Sequence, residues 1–112
     1  MTAAAAAELD VVLKALADPN RRLILRAVRS TPRAVGDLAK SLLLSQQVTS
    51  HHLRVLREAG LVHAERDGTR HLFALRADTL DVVADFLESF WPKRLAALKS
   101  AAEHTARTRG RG

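Results

Sequence analysis

The feature that most constrains the fold is a helix with defined ends that runs directly into a β-hairpin. In the stretch SQQVTSHHLRVLREAGLV, Ser45 is a typical helix N-cap, and Gly60 suits the left-handed position that ends a helix. Asp67-Gly68 is a favoured two-residue turn between the apolar-rich segments 61–66 and 69–75. The sequence therefore predicts a capped helix from Ser45 to Gly60, followed by a hairpin.

Four further helical segments are predicted, because apolar residues recur in them at the spacing of one helix face. Asp18-Pro19 ends the first and begins the second, as an N-cap followed by proline at the first helical position. Pro92 should kink or divide the last one. The segments are residues 8–17, 19–29, 36–41 and 78–104. Residues 33–35 are expected to be extended.

The fold class that follows is mostly α with a small β-hairpin, in the order α-α-α-α-β-β-α. The sequence has no internal repeat and no linker, so we expect one domain over residues 1–104. Residues 105–112 are basic and contain glycine, which predicts a disordered tail.

Composition narrows the function classes. The 112 residues carry a net charge of +6, which favours a polyanionic partner, nucleic acid first. The chain has no cysteine, which excludes disulfides, thiolate metal sites and thiol chemistry. No apolar run approaches the roughly 18 residues of a membrane span. We expect a cytoplasmic protein that does not interact with membranes.

The capped helix has two distinct faces when residues are placed 100° apart. One quadrant holds polar and basic side chains: Gln46, Gln47, Ser50, Arg54 and Arg57. The opposite arc is mostly apolar and is expected to pack inward: Val48, Thr49, His52, Leu53, Leu56 and Ala59. A polar helix face alone is most often a solvated surface, so the neighbouring elements have to decide its role.

Three stretches closely resemble the ArsR/SmtB family of bacterial transcriptional repressors, over about residues 8–100. They are LADPNRRLILRAV (16–28), VGDLAKSLLLSQQVTSHHLRVLREAGLV (35–62) and RDGTRHLFAL (66–75). The resemblance implies a winged helix-turn-helix fold that dimerises and binds operator DNA, in a family where a metal ion often releases the DNA.

The chain departs from the family at its metal-binding motifs. Metal-sensing members carry a cysteine pair in the sequence ELCVCDL, and Ala34 and Gly36 stand at those positions here. Other members carry histidines on the final helix, whereas this chain has none there before His104. We therefore expect no cofactor and no metal site.

The resemblance assigns DNA contacts to the capped helix and the hairpin, because a helix-turn-helix reader inserts its first turn into the major groove. The candidates for base edges are Gln46, Gln47, Thr49 and Ser50. The candidates for the DNA backbone or the wing are Ser45, His51, Arg54, Arg57, Arg66, Thr69 and Arg70. For the wing arginines the alternative is solubilising charge. Arg21 and Arg22 either meet phosphate or pair with Asp18 or Asp37.

The histidines take different roles in this interpretation. His52 lies on the inward arc and is expected to bond between helices, whereas His51 lies beside the polar face. His63 and His71 lie on opposite strands of the hairpin, where a weak two-histidine site is conceivable. Zinc needs three or four converging ligands, so solvated or cross-strand histidines are the favoured interpretation.

The first and last helices carry more apolar surface than so small a monomer needs, which predicts a homodimer interface. Its candidates are Leu9, Val12, Leu13, Leu16, Val83, Leu87, Phe90, Trp91, Leu95 and Leu98. The sequence thus predicts a homodimeric repressor that binds double-stranded DNA. It leaves open whether a small-molecule or protein inducer acts on it. The alternative is a protein-interaction or small-ligand sensor module on the same scaffold. No arrangement of residues indicates an enzyme.

Overall fold

The computed structural model describes residues 2–91 and 100–103 of the chain. Its helices are α1 (Ala3–Leu16), α2 (Pro19–Ala27), α3 (Val35–Leu42), α4 (Gln46–Glu58) and α5 (Asp81–Glu88). Its strands are β1 (Arg33–Ala34), β2 (Val62–Asp67) and β3 (Arg70–Leu75), and they form an antiparallel sheet in the order β1-β3-β2. A 3₁₀ turn, Ala77–Leu80, leads into α5. Within the described ranges, no helix is long and apolar enough to cross a membrane.

The predicted order of elements is confirmed, with differences at their ends. The first helix begins at Ala3 rather than residue 8, because Thr2 caps it: its hydroxyl accepts from the Ala5 N–H at 3.0 Å. The alanines that follow are strong helix formers. The last predicted helix does not run continuously: α5 ends at Glu88, before Pro92 is reached, and residues 100–103 are again helical. The predicted tail over residues 105–112 lies outside the described residues.

The hairpin turn lies one residue later than the sequence predicts. Asp67 pairs with Arg70, so the two turn residues are Gly68 and Thr69, and Gly68 takes a φ of 65°. Asp67 can therefore extend β2 while glycine supplies the positive φ at the first turn position. A shift of one residue matters, because it decides which side chains share a face of the sheet.

The buried residues of α4 pack against the other helices and the sheet. Leu53 and Leu56 of α4 are almost fully buried. They pack in one cluster with residues from α1, α2, α3 and β2: Val12, Ile24, Val28, Leu38 and Val62. Burying side chains of this size stabilises the fold by about 1.5–3 kcal/mol each. Because the inner side of α4 is fixed in this way, its outer side is held at the surface in a defined orientation.

Three arginines donate hydrogen bonds to carbonyls at helix ends. Arg21 donates from Nε to the Ala15 carbonyl at 2.7 Å and from Nη2 to the Lys14 carbonyl at 3.0 Å. Arg22 donates to the Leu16 carbonyl at 2.7 Å. The Ala15 and Leu16 carbonyls lie in the last turn of α1, where helical partners run out, while the Lys14 carbonyl also accepts from the Ala17 N–H at 3.3 Å. The positive charge also suits a helix C-terminus. Arg33 does the same for the Ala27 carbonyl at the end of α2.

Asp18 joins this arrangement as the N-cap of α2. Its carboxylate accepts from the backbone N–H groups of Asn20 at 2.8 Å and Arg21 at 3.2 Å. Burial acts to raise the pKa of this carboxyl, but the two N–H groups and the Arg21 charge outweigh burial, so the pKa lies below its ordinary value of 3.8. Of the alternatives left open for Arg21, the structure shows the ion pair with Asp18, at 4.0 Å.

Leu43 has an unusual conformation in the link between α3 and α4. It adopts the left-handed region, with a φ of 57°, at the C-terminal end of α3, and 93% of its surface is exposed. A β-carbon costs roughly 1–2 kcal/mol in this region, and so exposed a side chain recovers little of that cost by burial.

Replacing Leu43 by glycine is therefore expected to stabilise the protein by about 0.5–1 kcal/mol, because glycine adopts this conformation without steric cost but is freer when unfolded. Urea unfolding at fixed protein concentration measures the change. Leu43→Ala serves as the matched control, since it removes the apolar side chain but keeps the β-carbon, and it should give no such gain. A glycine variant less stable than the parent would contradict this account.

Candidate nucleic-acid interface

The first turn of α4 is fixed by its cap. The Ser45 hydroxyl accepts from the Val48 N–H at 3.0 Å, which confirms the predicted N-cap. Gln46, Gln47 and Ser50 are all exposed in the turns that follow. Gln46 lies over the start of α3, since a β-carbon added to Gly36 would be 3.2 Å from its Nε2. Gln47 and Ser50 make no side-chain hydrogen bond to any described residue, so their polar atoms are available to a ligand.

Thr49 does not belong to this surface, and its assignment as a base-edge candidate is wrong. It has no exposed surface, and its hydroxyl donates to the Ser45 carbonyl at 2.8 Å. The buried side of α4 is formed by Thr49, His52, Leu53 and Leu56, which fall on one face of the helix at helical spacing. Val48 was expected on that side, but it lies at the margin and is 43% exposed.

Two arginines continue the outer face of α4 beyond its first turns. Arg54 and Arg57 are exposed, and neither side chain makes a hydrogen bond or ion pair with any residue in the described part of the chain. The same holds for Arg66 on β2. They differ in this respect from Arg21, Arg22 and Arg33, whose guanidinium groups are held by carbonyls. Positive charge with unused donors is what a phosphate backbone requires.

Arg70, at the start of β3, has a protein partner. Its Nη2 is 3.0 Å from Oδ2 of Asp37 on α3, and both side chains are more than half exposed. This ion pair ties the hairpin to α3, a contact that sequence reasoning did not identify. Exposed ion pairs contribute about 0–1 kcal/mol, so phosphate can replace Asp37 at little cost. The predicted wing contact of Arg70 stays a prediction. Thr69 is exposed in the turn itself.

The register of the hairpin separates its two histidines. His63 pairs with Ala74 and Arg66 pairs with His71, so His63 and His71 lie on opposite faces. A shared two-histidine site, which the sequence left open, is therefore ruled out by this geometry. His63 instead lies 2.9 Å from Glu65. Within residues 2–91 and 100–103, no three potential metal ligands converge.

The predicted separation of His51 and His52 is confirmed. His52 is 7% exposed, and its Nδ1 is 3.4 Å from Nη1 of Arg21. Arginine can only donate, so this nitrogen accepts, and the contact joins α2 to α4. His51 is exposed beside the polar face and stays a candidate for the DNA backbone.

The predicted dimer surface is partly wrong. Leu9 and Val12 are buried in the protomer's own core, at 5% and 0% exposure, so neither contributes to a free surface. Leu16 and Val83 are half-buried against that core. Leu95 and Leu98 lie outside the described residues. The exposed apolar side chains on or next to α1 and α5 are Val11, Leu13, Leu87, Phe90 and Trp91. Val11 was missed because it lies beside the inward stripe of α1.

Comparison with known proteins assigns the fold to a family. The profile described as "Bacterial regulatory protein, arsR family" matches residues 18–64, the part from the cap of α2 into β2. The HTH-type transcriptional regulator Rv2034 of Mycobacterium tuberculosis is 38% identical over 86 residues, which are 77% of this chain and 80% of the relative. The arsenical resistance operon repressor of Staphylococcus xylosus is 32% identical, over 72% of this chain and 78% of the relative.

Solved structures agree with these relatives. An ArsR-like transcriptional regulator from Rhodococcus sp. RHA1 superposes with a TM-score of 0.74 at 34% identity, over 93% of this chain and 98% of the other. A homodimeric winged helix-turn-helix DNA-binding domain from Mycobacterium bovis superposes with a TM-score of 0.60 at 34% identity, over 76% and 88%. The chain therefore belongs to the ArsR family of bacterial regulatory proteins and is a DNA-binding transcriptional regulator with a winged helix-turn-helix fold.

Proposed function

We propose that this regulator is a homodimeric repressor that binds a palindromic operator in the bacterial cytoplasm and carries out no catalysis. The observation that supports it best is the outer face of α4, where exposed amide and hydroxyl groups precede two arginines without partners in the described part of the chain. That order suits a helix whose first turn enters the major groove and whose later residues meet phosphates.

Base recognition is proposed for the exposed polar residues of the first two turns. A glutamine amide can form paired hydrogen bonds with N6 and N7 of adenine, and a serine hydroxyl can serve several bases. Gln47 is the stronger of the two glutamine candidates, because Gln46 is partly occupied in covering Gly36. The wing adds Arg66, whose charge suits the narrow minor groove of A·T-rich DNA.

Dimerisation is proposed through the exposed apolar residues of α1 and α5. At the end of α5, the Phe86 and Phe90 rings pack edge to face at 5.0 Å, and Trp91 lies 6.0 Å from Phe90. Phe90 and Trp91 remain 60% and 53% exposed, although aromatic side chains of this size usually bury much of their surface. A two-fold dimer would place the two α4 helices about 34 Å apart, one turn of DNA.

Selection of genomic DNA fragments on the purified protein tests this function. The expected result is a set of fragments that share an inverted repeat with half-sites about one helical turn apart. Fragments without a shared motif, bound as weakly as random DNA, would contradict the proposal. Sedimentation of the free protein checks the dimer separately.

Gln47→Ala is expected to relax the sequence preference of the protein. Loss of one base contact should cost about 1–3 kcal/mol for the preferred operator and little for unrelated DNA. Competition binding between the operator and a scrambled duplex measures the ratio. Glu58→Ala is a suitable comparison, since it alters an exposed residue near the far end of α4. A Gln47 variant that keeps the full preference would show that α4 recognises the operator through other residues.

A further inference from the structure

A cleft lies between α4 and the hairpin, beside the proposed DNA surface. Its volume is about 290 Å³. The apolar part of its lining comes from Val35 of α3, Leu53 of α4 and Phe73 of β3. Leu53 is 2% exposed and belongs to the core, so this side of the cleft is part of the packed structure.

The polar part of the lining is cationic and comes mostly from α4. Ser50, Arg54 and Arg57 follow one another at helical spacing along one wall, and His71 stands on the hairpin side. No carboxylate is among the lining residues. Neither guanidinium is bonded to another described residue, so both present unused donors at the cleft.

An apolar floor with a cationic wall selects for a particular chemistry. The apolar lining favours a hydrocarbon body, while a planar guanidinium binds a carboxylate through two parallel hydrogen bonds. The volume of the cleft lies just below the range for small-molecule sites, roughly 300–1,000 Å³, which limits the ligand to a small ring system or a short acyl chain.

We propose that this cleft binds a small carboxylate with an apolar body, aromatic or acyl, and that the bound carboxylate excludes DNA. The inference rests on the proposed function, because Ser50, Arg54 and Arg57 are also proposed DNA contacts. A ligand that occupies the arginines removes donors that the phosphates need, so the two bind in competition. The cleft thereby supplies a route of derepression that needs no metal.

Binding is tested first without DNA, so that its outcome does not depend on the operator. Calorimetric titration with 1-naphthoate and with octanoate distinguishes an aromatic from an acyl ligand, and uncharged 1-naphthalenemethanol tests the need for the carboxylate. At least one carboxylate should bind about tenfold or more tightly than the alcohol, as expected for a charge-assisted pair. Equal binding of acid and alcohol, or no binding of either acid at millimolar concentration, would overturn the proposal.

Variants then locate the site. Arg57→Ala should weaken carboxylate binding about tenfold or more, whereas Arg76→Ala should leave it within about twofold. Arg76 is a matched control because it carries the same charge but pairs with Asp78 at 3.6 Å and does not line the cleft. Circular dichroism confirms that both variants are folded. Equal losses in the two variants would show that only net charge matters, and would refute the site.

Competition is the last step. The carboxylate that binds should release a labelled operator, whereas sodium acetate at the same concentration, which matches the ionic strength, should not. Carboxylate binding that leaves operator affinity unchanged would overturn the exclusion of DNA. If the protein binds no DNA specifically, but the carboxylate still binds and depends on Arg57, the proposed repressor function fails while the cleft assignment stands.

Discussion

Arg57→Ala is expected to weaken binding to operator and unrelated DNA by about the same factor and to reduce its dependence on salt. If Arg54, Arg57 and Arg66 of two protomers each meet one phosphate, the log–log slope of affinity against salt concentration should be near −5. Removing Arg57 from both protomers should reduce the magnitude of that slope by about 1.8, which corresponds to roughly 30-fold weaker binding at about 0.15 M salt. Fluorescence anisotropy of a labelled duplex across a salt series measures both quantities.

Arg76→Ala is the matched control for this measurement. It removes the same charge from an exposed arginine, but Arg76 follows the end of β3, away from the turn, and pairs with Asp78. Its slope should change by much less than that of Arg57→Ala, because it is not expected to meet phosphate. Equal changes in the two variants would mean that the protein attracts DNA by net charge alone, without defined contacts on α4.

The parts of the fold that could be predicted from sequence are those that local chemistry determines. The cap at Ser45 and the left-handed Gly60, with a φ of 77°, fix both ends of α4: the helix begins at Gln46 and ends at Glu58, each within two residues of its signal. The spacing of apolar residues identifies the inward side of α4, and four of its residues are buried there: Thr49, His52, Leu53 and Leu56. Thr49 was placed on that side and also proposed as a base contact, and burial decides between the two.

The sequence did not determine the position of the hairpin turn to the residue. Asp67-Gly68 and Gly68-Thr69 are both acceptable two-residue turns, and local propensity does not separate them. Strand pairing selects Gly68-Thr69, because pairing of Asp67 with Arg70 places Val62 opposite Leu75 and directs Val62 into the core. Register is set by which face is buried, and that depends on the helices beneath the sheet.

The partners of the arginines could not be predicted from sequence at all. Arg21, Arg22 and Arg57 carry the same charge and all lie on helices, yet the side chains of the first two donate to carbonyls at the end of α1, and that of the third bonds to no described residue. The difference arises because the start of α2 lies against the end of α1, a tertiary property. Only the structure, therefore, divides the positive charge into arginines that hold the fold and arginines available to DNA or to an anionic ligand.

Arg21→Ala is expected to destabilise the protein by about 3 kcal/mol, the largest change in stability among the substitutions considered. The side chain is 15% exposed and joins the end of α1, the Asp18 cap and His52 of α4. Its removal leaves the partly buried Ala15 carbonyl without its donor and breaks the contacts with the Lys14 carbonyl and His52. Hydrogen bonds to charged groups contribute about 1.5–3 kcal/mol each without being fully additive. Urea unfolding followed by circular dichroism, at one fixed protein concentration because a dimer's stability depends on it, measures the loss.

Two further variants show whether the loss of stability depends on the geometry of the Arg21 guanidinium. Arg22→Ala removes a neighbouring arginine that makes one exposed hydrogen bond, to the Leu16 carbonyl, and should cost less than about 1 kcal/mol. Arg21→Lys keeps the charge but cannot reach the Lys14 and Ala15 carbonyls and His52 together, since an ammonium lacks the planar fork, so it should recover less than half of the loss. If Arg21→Ala costs no more than Arg22→Ala, the junction of α1, α2 and α4 does not depend on this side chain.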